Sequence, residues 1–308
     1  RFEPGAYRAV GVECEGRFAR VGLADMAGGV QARETIELGD FARTRDLSPL
    51  AAAIRRMCAA ANGAPVLGVC IGFPANLDPD AAAIVSYAAM DIQQPTSFAQ
   101  VFPAFWREVE LPVYLENDAN LACEGEAFLR RGAGGAANML YLSIGSGCGG
   151  AVRLDGKLRR GARCRAGEVG AMLLQPALGA PGRSAARETL EDAVCLAALE
   201  RRFGAALRDG AQPGEASAQA MRDYLCGPLS GAVYSLVMTL DVELCVLAGI
   251  VPGALGMQLC TQVSEALRAA LPESTPVRVE PSVSADAGVI GAAATVFERS
   301  LDALLGSG

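Results

Sequence analysis

The chain of 308 residues has no histidine, and Lys157 is its only lysine. Without histidine there is no Ser-His-Asp or Cys-His nucleophile system, no imidazole general base and no usual nitrogen ligand for zinc, so any catalysis has to run on carboxylates. The pairing C-x-x-C is also missing, although ten cysteines are present. Cys14, Cys70, Cys245 and Cys260 lie inside apolar segments, where a thiol acts as a small hydrophobe, and reduced, mostly buried thiols are expected. Long apolar runs are lacking as well. "LPVYL" and "ELCVLAGIVPGAL" are too short or too interrupted by Pro and Gly to span a membrane, and the first residues show no basic-then-apolar signal pattern. A cytoplasmic protein without a membrane partner is expected. Positive charge is short too, with a formal net charge of −7, which argues against nucleic-acid binding by the chain itself. Its one basic cluster, "KLRRGARCR" from Lys157 to Arg165, reads as a solvated turn.

What is present is enough apolar residue, 51%, to bury a full core in one large or two medium domains. From Tyr7 to Leu38 the pattern "YRAVGVE", "FARVGLAD", "VQARETIEL" predicts an antiparallel meander. Ser48 and Pro49 open a helix with Leu50, Ile54, Met57 and Cys58 on one face, closed by Gly63. "PVLGVCIGF" predicts a buried strand, and a helix around Phe98 to Val109 leads into another, "LPVYLEN". A second strand-turn-strand spans Asn138 to Leu154. Its resemblance to the first hairpin suggests a weak internal duplication, hence two related α/β lobes facing each other across a cleft. The segment Arg208 to Ala218 reads as a polar loop. Beyond it come a helix from Cys226, strand "VELCVLAG", helix "GMQLCTQVSEALRAAL", strand "PVRVEPS" and a closing helix from Ala285 to Leu305.

Two stretches could carry chemistry. "IGSGCGG", Ile144 to Gly150, has the composition of a phosphate cradle, because backbone N–H groups without side chains can approach an anion. It lacks the Lys-Ser/Thr ending of a P-loop and sits in a hairpin, so a ligand-free glycine turn explains the same residues equally well. "LENDAN", Leu115 to Asn120, ends a buried strand and begins a helix. Asn117 or Asp118 suits an N-cap there. The C-terminal end of a buried strand is also where α/β sheets place ligands, and a carboxylate at that point could take the proton of a sugar hydroxyl attacking a phosphoryl group.

"ENDAN" at Glu116 to Asn120, "LSIGSGCGGAVRLDGKLRRGARCRAGEVG" from Leu142 to Gly170 and "IGFPANLD" from Ile71 to Asp78 resemble the ROK family of sugar kinases and transcriptional repressors. The resemblance extends from about Ala9 to Phe297, and "LDVELCVLAGIV" and "DAGVIGAAA" match the family's nucleotide-side strand and closing helix. It implies an α/β, two-lobed actin-like sugar-kinase (ribonuclease H-like) fold with a cleft between the lobes. The expected division is an N-terminal lobe over residues 1–120, completed by helix 285–308, and a C-terminal lobe over residues 121–284. By resemblance Asp118 is the catalytic base, and Asn117 and Glu168 hold sugar hydroxyls beside Gly72 and Ala75. Gly145, Ser146, Gly147, Gly149 and Gly150 form the second phosphate loop, and Gly249 lies near adenine.

The departures bear on function. The family's first phosphate loop reads Asp, two glycines and Thr, whereas this chain has Glu13, Glu15, Gly16 and Arg17. Glu15 puts bulk and negative charge where a backbone should touch phosphate; Arg17 offsets the charge without restoring the space. Ala171 replaces the family's zinc-binding His, and "GRSAARETLE", Gly182 to Glu191, has no cysteine, so no zinc is expected and packing alone should hold that loop. Ala75 replaces a Gly, and Ser86 to Ile92 lacks the sugar-binding Asn common in relatives. ATP and Mg²⁺ remain compatible with the resemblance, the metal lying near Glu13 and Asp118.

Three functions follow. The first is the sugar-binding effector domain of a ROK-type regulator with kinase activity lost or weak. It would act as a homo-oligomer and contact DNA only through a module preceding Arg1, an expectation to which the linker-like start "RFEPGAYRAVGVE" contributes. The second is an ATP-dependent kinase of a hexose or N-acetylated amino sugar, with Asp118 as base and the Gly145 to Gly150 turn and Arg17 on the phosphates. The third is an interaction protein on the same fold with no ligand.

Overall fold

In the computed structural model, residues 3–132, 135–174, 188–204, 207 and 213–305 are described. In chain order the first strands and helices are β1 (Arg8–Glu15), β2 (Phe18–Asp25), β3 (Val30–Glu37), α1 (Phe41–Thr44), α2 (Ser48–Ala60) and β4 (Val66–Phe73). Next come β5 (Asn76–Asp78), β6 (Ala83–Ser86), β7 (Thr96–Ser97), α3 (Phe98–Val101), α4 (Pro103–Glu108), β8 (Val113–Asn117) and α5 (Asp118–Leu129). Then follow β9 (Met139–Ile144), β10 (Cys148–Leu154), β11 (Lys157–Leu158), α6 (Leu190–Val194), α7 (Leu196–Phe203) and α8 (Glu215–Leu240). The chain ends with β12 (Leu244–Ala248), α9 (Ile250–Leu255), α10 (Met257–Ala270), β13 (Arg278–Pro281) and α11 (Ala287–Leu305). Among the described residues no helix is long and apolar enough to cross a membrane.

The chain divides into two units, one within Arg1–Gly135, Gly161–Arg165 and Val283–Gly308, the other within Ala136–Arg160 and Ala166–Ser282. The expected boundary after residue 120 cuts through α5, and the structure moves it. Helix α5 packs on α11, and their two glycines make the approach: a Cβ on Gly125 would lie 1.8 Å from the Ala287 carbonyl oxygen, and one on Gly291 1.9 Å from that of Leu121. Contact this close ties α5 to the first unit.

In the first unit the sheet runs β3-β2-β1-β4-β8. The predicted meander is there, with β1 and β2 paired from Arg8↔Asp25 to Glu15↔Phe18. Only Gly16 and Arg17 remain for the turn, and Gly16 has φ +59°, the sign a two-residue hairpin needs at its first position. β1, β4 and β8 are parallel and aligned, so Glu13 lies opposite Gly72, and Gly72 opposite Glu116, near the carboxyl ends of all three. Both faces of these strands are covered, which is why they read as continuous apolar runs. One face carries Ala9 and Cys70, which pack with Leu121 of α5 against Ala292, Ala293 and Val296 of α11. The other is buried by α2 and an aromatic cluster in which Phe41, Tyr87, Phe98 and Phe102 all sit around the ring of Phe73.

One expectation for this unit changed, and one element came without any. The single helix expected from Phe98 to Val109 is two, α3 and α4, broken at Phe102 because Pro103 starts a new helix and pushes its predecessor out of helical geometry. Residues 76–97, for which the sequence announced no element, hold a small antiparallel sheet, β5-β6-β7.

The second unit repeats the plan. Its sheet runs β11-β10-β9-β12-β13, three antiparallel strands followed by two parallel ones, in the same order as the first. The suspected duplication is thus visible in the topology. Helix α8 starts at Glu215, earlier than the Cys226 expected, and runs through Pro228. Residues 208–212 of the expected loop, and residues 182–187 of the loop expected to be held by packing, lie outside the described residues.

Candidate functional site

The residues singled out in the sequence fall into two sets, one in each unit. In the first unit the β8–α5 junction settles which residue caps the helix. Asn117 is the N-cap, its side-chain oxygen accepting the Asn120 N–H at 3.1 Å while its amide donates to the Ala75 carbonyl at 3.3 Å. Asp118 is the first helical residue and its Oδ1 accepts the N–H of Ala119 at 2.9 Å. Glu116, buried, supports both from behind, its Oε1 accepting the Asn117 N–H and the Asn120 side-chain amide, each at 2.9 Å. The carboxylate of residue 118 is therefore not needed as the cap.

Gly72 lies directly beneath this junction. A Cβ there would meet Val12 O at 3.2 Å and the Asp118 Cα at 3.3 Å, so glycine lets β4 pass under the start of α5. Ala75 contributes its carbonyl through Asn117. Nearby, Asn76 donates to the Ser86 hydroxyl at 3.1 Å, and Arg165 donates to the same oxygen at 3.2 Å. Arg165 belongs to the basic cluster read as a solvated turn. Neither Ser86 nor Arg165 was singled out, because their meeting depends on residues 79 positions apart.

The first hairpin departs from the expectation for Arg17. Its guanidinium, exposed, binds Glu37 at 3.0 Å. The arginine that meets the acidic pair is Arg20, 3.1 Å from Glu13 Oε2 and 3.4 Å from Glu15 Oε2. A two-residue turn sets Glu13 opposite Arg20 in register, so counting back from Gly16 and Arg17 would have found it. Burial pushes the Glu13 carboxyl up to about 7 against the pull of Arg20, and the charges of Glu15 and Asp118 push the same way. Glu13 Oε2 lies off the hydrogen-bonding direction of Arg20, and the carboxylate is wedged against the first turn of α11: a Cβ on Gly288 would fall 2.4 Å from its carboxyl carbon.

These residues do not fit a nucleotide phosphate with its divalent cation. The space at the start of α11 is filled by a carboxylate, the charge of that carboxylate is met by Arg20, and Glu15 stands at the hairpin tip. Among the described residues no group of three or more His, Cys, Asp or Glu is gathered to hold a metal ion.

In the second unit the Gly-rich stretch forms the β9–β10 turn, with Ile144 paired to Cys148 and the Gly145 N–H donating to Gly147 O at 2.9 Å. Ser146 is exposed at its tip, and Gly149 and Gly150 are already in β10. Gly249, at φ +93°, ends β12 beside the turn, since a Cβ on it would lie 2.5 Å from the Ile144 carbonyl oxygen. Glu168 precedes a short 3-10 turn, Val169–Ala171, that packs on Cys148. A further carboxylate reaches the same turn: Glu191 Oε2 accepts the Cys148 N–H at 2.8 Å. The Cys148 thiol is pushed up to about 12 by burial, with Glu191 and Cys195 adding to the effect. The sequence hid Glu191 among the acidic residues of "RETLED", where nothing local marks it for a turn 43 positions away.

A glucokinase from Halalkalibacterium halodurans is 34% identical over 141 residues, which are 44% of this chain and 40% of that protein. The chain's matches to this and two further curated relatives span less than half the length of those proteins. The crystal structure of a ROK hexokinase from Thermus thermophilus superposes with a TM-score of 0.73 at 26% identity, covering 96% of this chain and 99% of that one. A ROK family transcriptional regulator, homologue of the E. coli MLC protein, shares the fold with a TM-score of 0.76 at 16% identity, covering 97% and 80%. The ROK family model matches residues 9–299, nearly the whole chain, and this protein belongs to the ROK family.

Proposed function

We propose that this chain is the sugar-binding effector domain of a ROK-type transcriptional regulator whose capacity for phosphoryl transfer is lost or weak. The observation that carries the reading is the first hairpin, the counterpart by resemblance of the family's first phosphate loop, where Glu13 and Glu15 both meet Arg20. Placing a phosphate there sets like charge against two carboxylates and requires Arg20 to give up its partners. The sugar-side residues do not share this obstruction. Asn117 is oriented by its two hydrogen bonds, Asp118 starts α5 at the carboxyl end of β8, and Glu168 precedes the turn on Cys148. Carboxylates and amides are the groups that recognise sugar hydroxyls. With a net charge of −7, DNA contact in this reading belongs to a separate module, and pairing of two copies is part of the proposal.

A kinase of hexoses or N-acetylated amino sugars is the second reading, favoured by Asp118 at the strand–helix junction and by glucokinase among the relatives. One experiment separates the two. Thermal shift and calorimetry against hexoses and N-acetylated amino sugars are expected to show binding that Glu168→Ala abolishes, while a coupled assay with ATP and the same sugars shows no turnover. Turnover that disappears in Asp118→Asn would sink the regulator reading in favour of the kinase. Binding of no sugar at all would remove both and leave an interaction protein.

A further inference from the structure

The Gly-rich turn of the second unit is held by a side chain from a separate segment, and that contact belongs to a closed set. Glu191 Oε2 accepts the Cys148 N–H at 2.8 Å, and a Cβ on Gly147 would come within 2.9 Å of the same oxygen, so the carboxylate is seated on the turn. Glu191 is itself fixed by the start of α6, where Thr189 Oγ1 accepts the Asp192 N–H at 3.2 Å and the Asp192 carboxylate accepts the Thr189 N–H at 3.0 Å. One residue away, the Leu190 N–H donates to Met172 O at 2.8 Å, which ties α6 to the segment following Glu168. That segment returns to Cys148: a Cβ on Gly170 would meet the Cys148 carbonyl oxygen at 2.1 Å. Cys148, the start of α6 and the Val169–Ala171 turn thus touch one another pairwise, with no slack at the glycine contacts.

We infer that Glu191 is a positioning residue that couples Glu168 to the Gly145–Gly150 turn, so that a ligand engaging Glu168 stiffens the turn. The identity of that ligand rests on the sugar-binding reading; the coupling path does not. The Gly145 N–H is spent inside the turn and the Gly145 carbonyl accepts the Leu196 N–H at 2.9 Å, so the bond from Cys148 to Glu191 is the side-chain hold on the turn's second half, and its loss loosens residues 146–148. When Glu168 is held, the Val169–Ala171 turn cannot shift without displacing Cys148, and Cys148 cannot shift without breaking its bond to Glu191. This gives the turn a task that needs no phosphate, reporting whether the Glu168 side is occupied.

Hydrogen–deuterium exchange on the whole chain tests it, comparing Glu191→Ala, Glu191→Asp and Glu191→Gln. Without ligand, amides 146–148 should exchange about tenfold faster in the Ala variant and in the Asp variant, whose carboxylate is one methylene short, and segment 167–174 should loosen with them. The Gln variant, which keeps an acceptor at full reach, should stay within about threefold of the wild type, and segment 113–129 should not change in any of them. If the Ala variant does not fold, the Asp and Gln variants decide. Wild-type exchange at 146–148 in the Asp and Ala variants overturns the positioning role, and so does a Gln variant as loose as Asp. Loosening confined to 146–148 overturns the coupling. In a second arm, glucose or N-acetylglucosamine at a concentration that raises the wild-type Tm should slow exchange at 146–148, and in Glu191→Ala the Tm rise should persist without that slowing. Slowing that survives in Glu191→Ala overturns the coupling. If neither sugar moves the Tm, this arm is run with the other hexoses and N-acetylated amino sugars of the calorimetry series; if none moves it, the sugar-binding reading falls, and the ligand-free comparison still judges Glu191.

Discussion

The sequence left the cap of α5 on either Asn117 or Asp118, and the structure gives it to Asn117. Because the cap hydrogen bond comes from Asn117, Asn117→Ala should cost about 1 kcal/mol of stability or somewhat more, with the Ala75 carbonyl losing its donor as well. Asp118→Asn should leave the urea midpoint close to wild type, so any change in sugar response reports on the site itself. Glu13 carries a pH signature. Its carboxyl rises from 4.5 to about 7 in the folded chain, so the native state binds that proton more tightly than the unfolded state does. Its stabilising contribution is complete below about 4.5 and is lost as the pH rises through about 7. A shift of that size corresponds to roughly 3 kcal/mol, and Glu13→Gln should remove it, making the variant more stable than wild type at about pH 8 by urea denaturation. An equal decline with pH in both proteins would show that another group is responsible.

Among elements, the two ends of the glycine scale make opposite predictions. Gly125→Ala forces a methyl into the Ala287 carbonyl, and separating α5 from α11 should cost about 3 kcal/mol or more, read as a fall in Tm. Gly231, exposed in the interior of α8 with nothing within 4 Å of a Cβ, gives the reverse: Gly231→Ala should stabilise by about 0.5–1 kcal/mol. Strands and helices with strong apolar periodicity were legible before the structure, as β1 to β4, α2, β12 and α10 show. The small sheet β5-β6-β7 was not, since strands of two to four residues are too short for periodicity to register. The start of α8 was not either, because the Gly-, Pro- and polar-rich residues from Arg208 to Ala218 read as a loop, whereas the helix already begins at Glu215.

At the scale of the molecule, the ten thiols follow the expectation of reduced, mostly buried cysteines: none is in a disulfide, and Cys14, Cys70, Cys123, Cys148, Cys195, Cys245 and Cys260 are buried. Burial pushes the Cys260 thiol up to about 11 and holds Cys14 and Cys245 well above the ordinary thiol range. A thiol-specific disulfide reagent should therefore label the partly exposed Cys58, Cys164 and Cys226 in the native protein and reach the others only in denaturant. Fast native labelling of Cys148 would mean that the β9–β10 turn opens.

From sequence alone come the ROK resemblance, carried by whole motifs such as "ENDAN", and the α/β elements and duplicated hairpin, which depend on local spacing: the alternation of a strand, the glycine of a turn. Other features waited for the fold. Arg20 and not Arg17 meets Glu13, Glu191 reaches a turn 43 residues away, and α5 belongs with α11. Each is a contact between segments distant in the chain, set by strand register and by how closely two backbones approach, and neither quantity is written in the residues on one side of the contact.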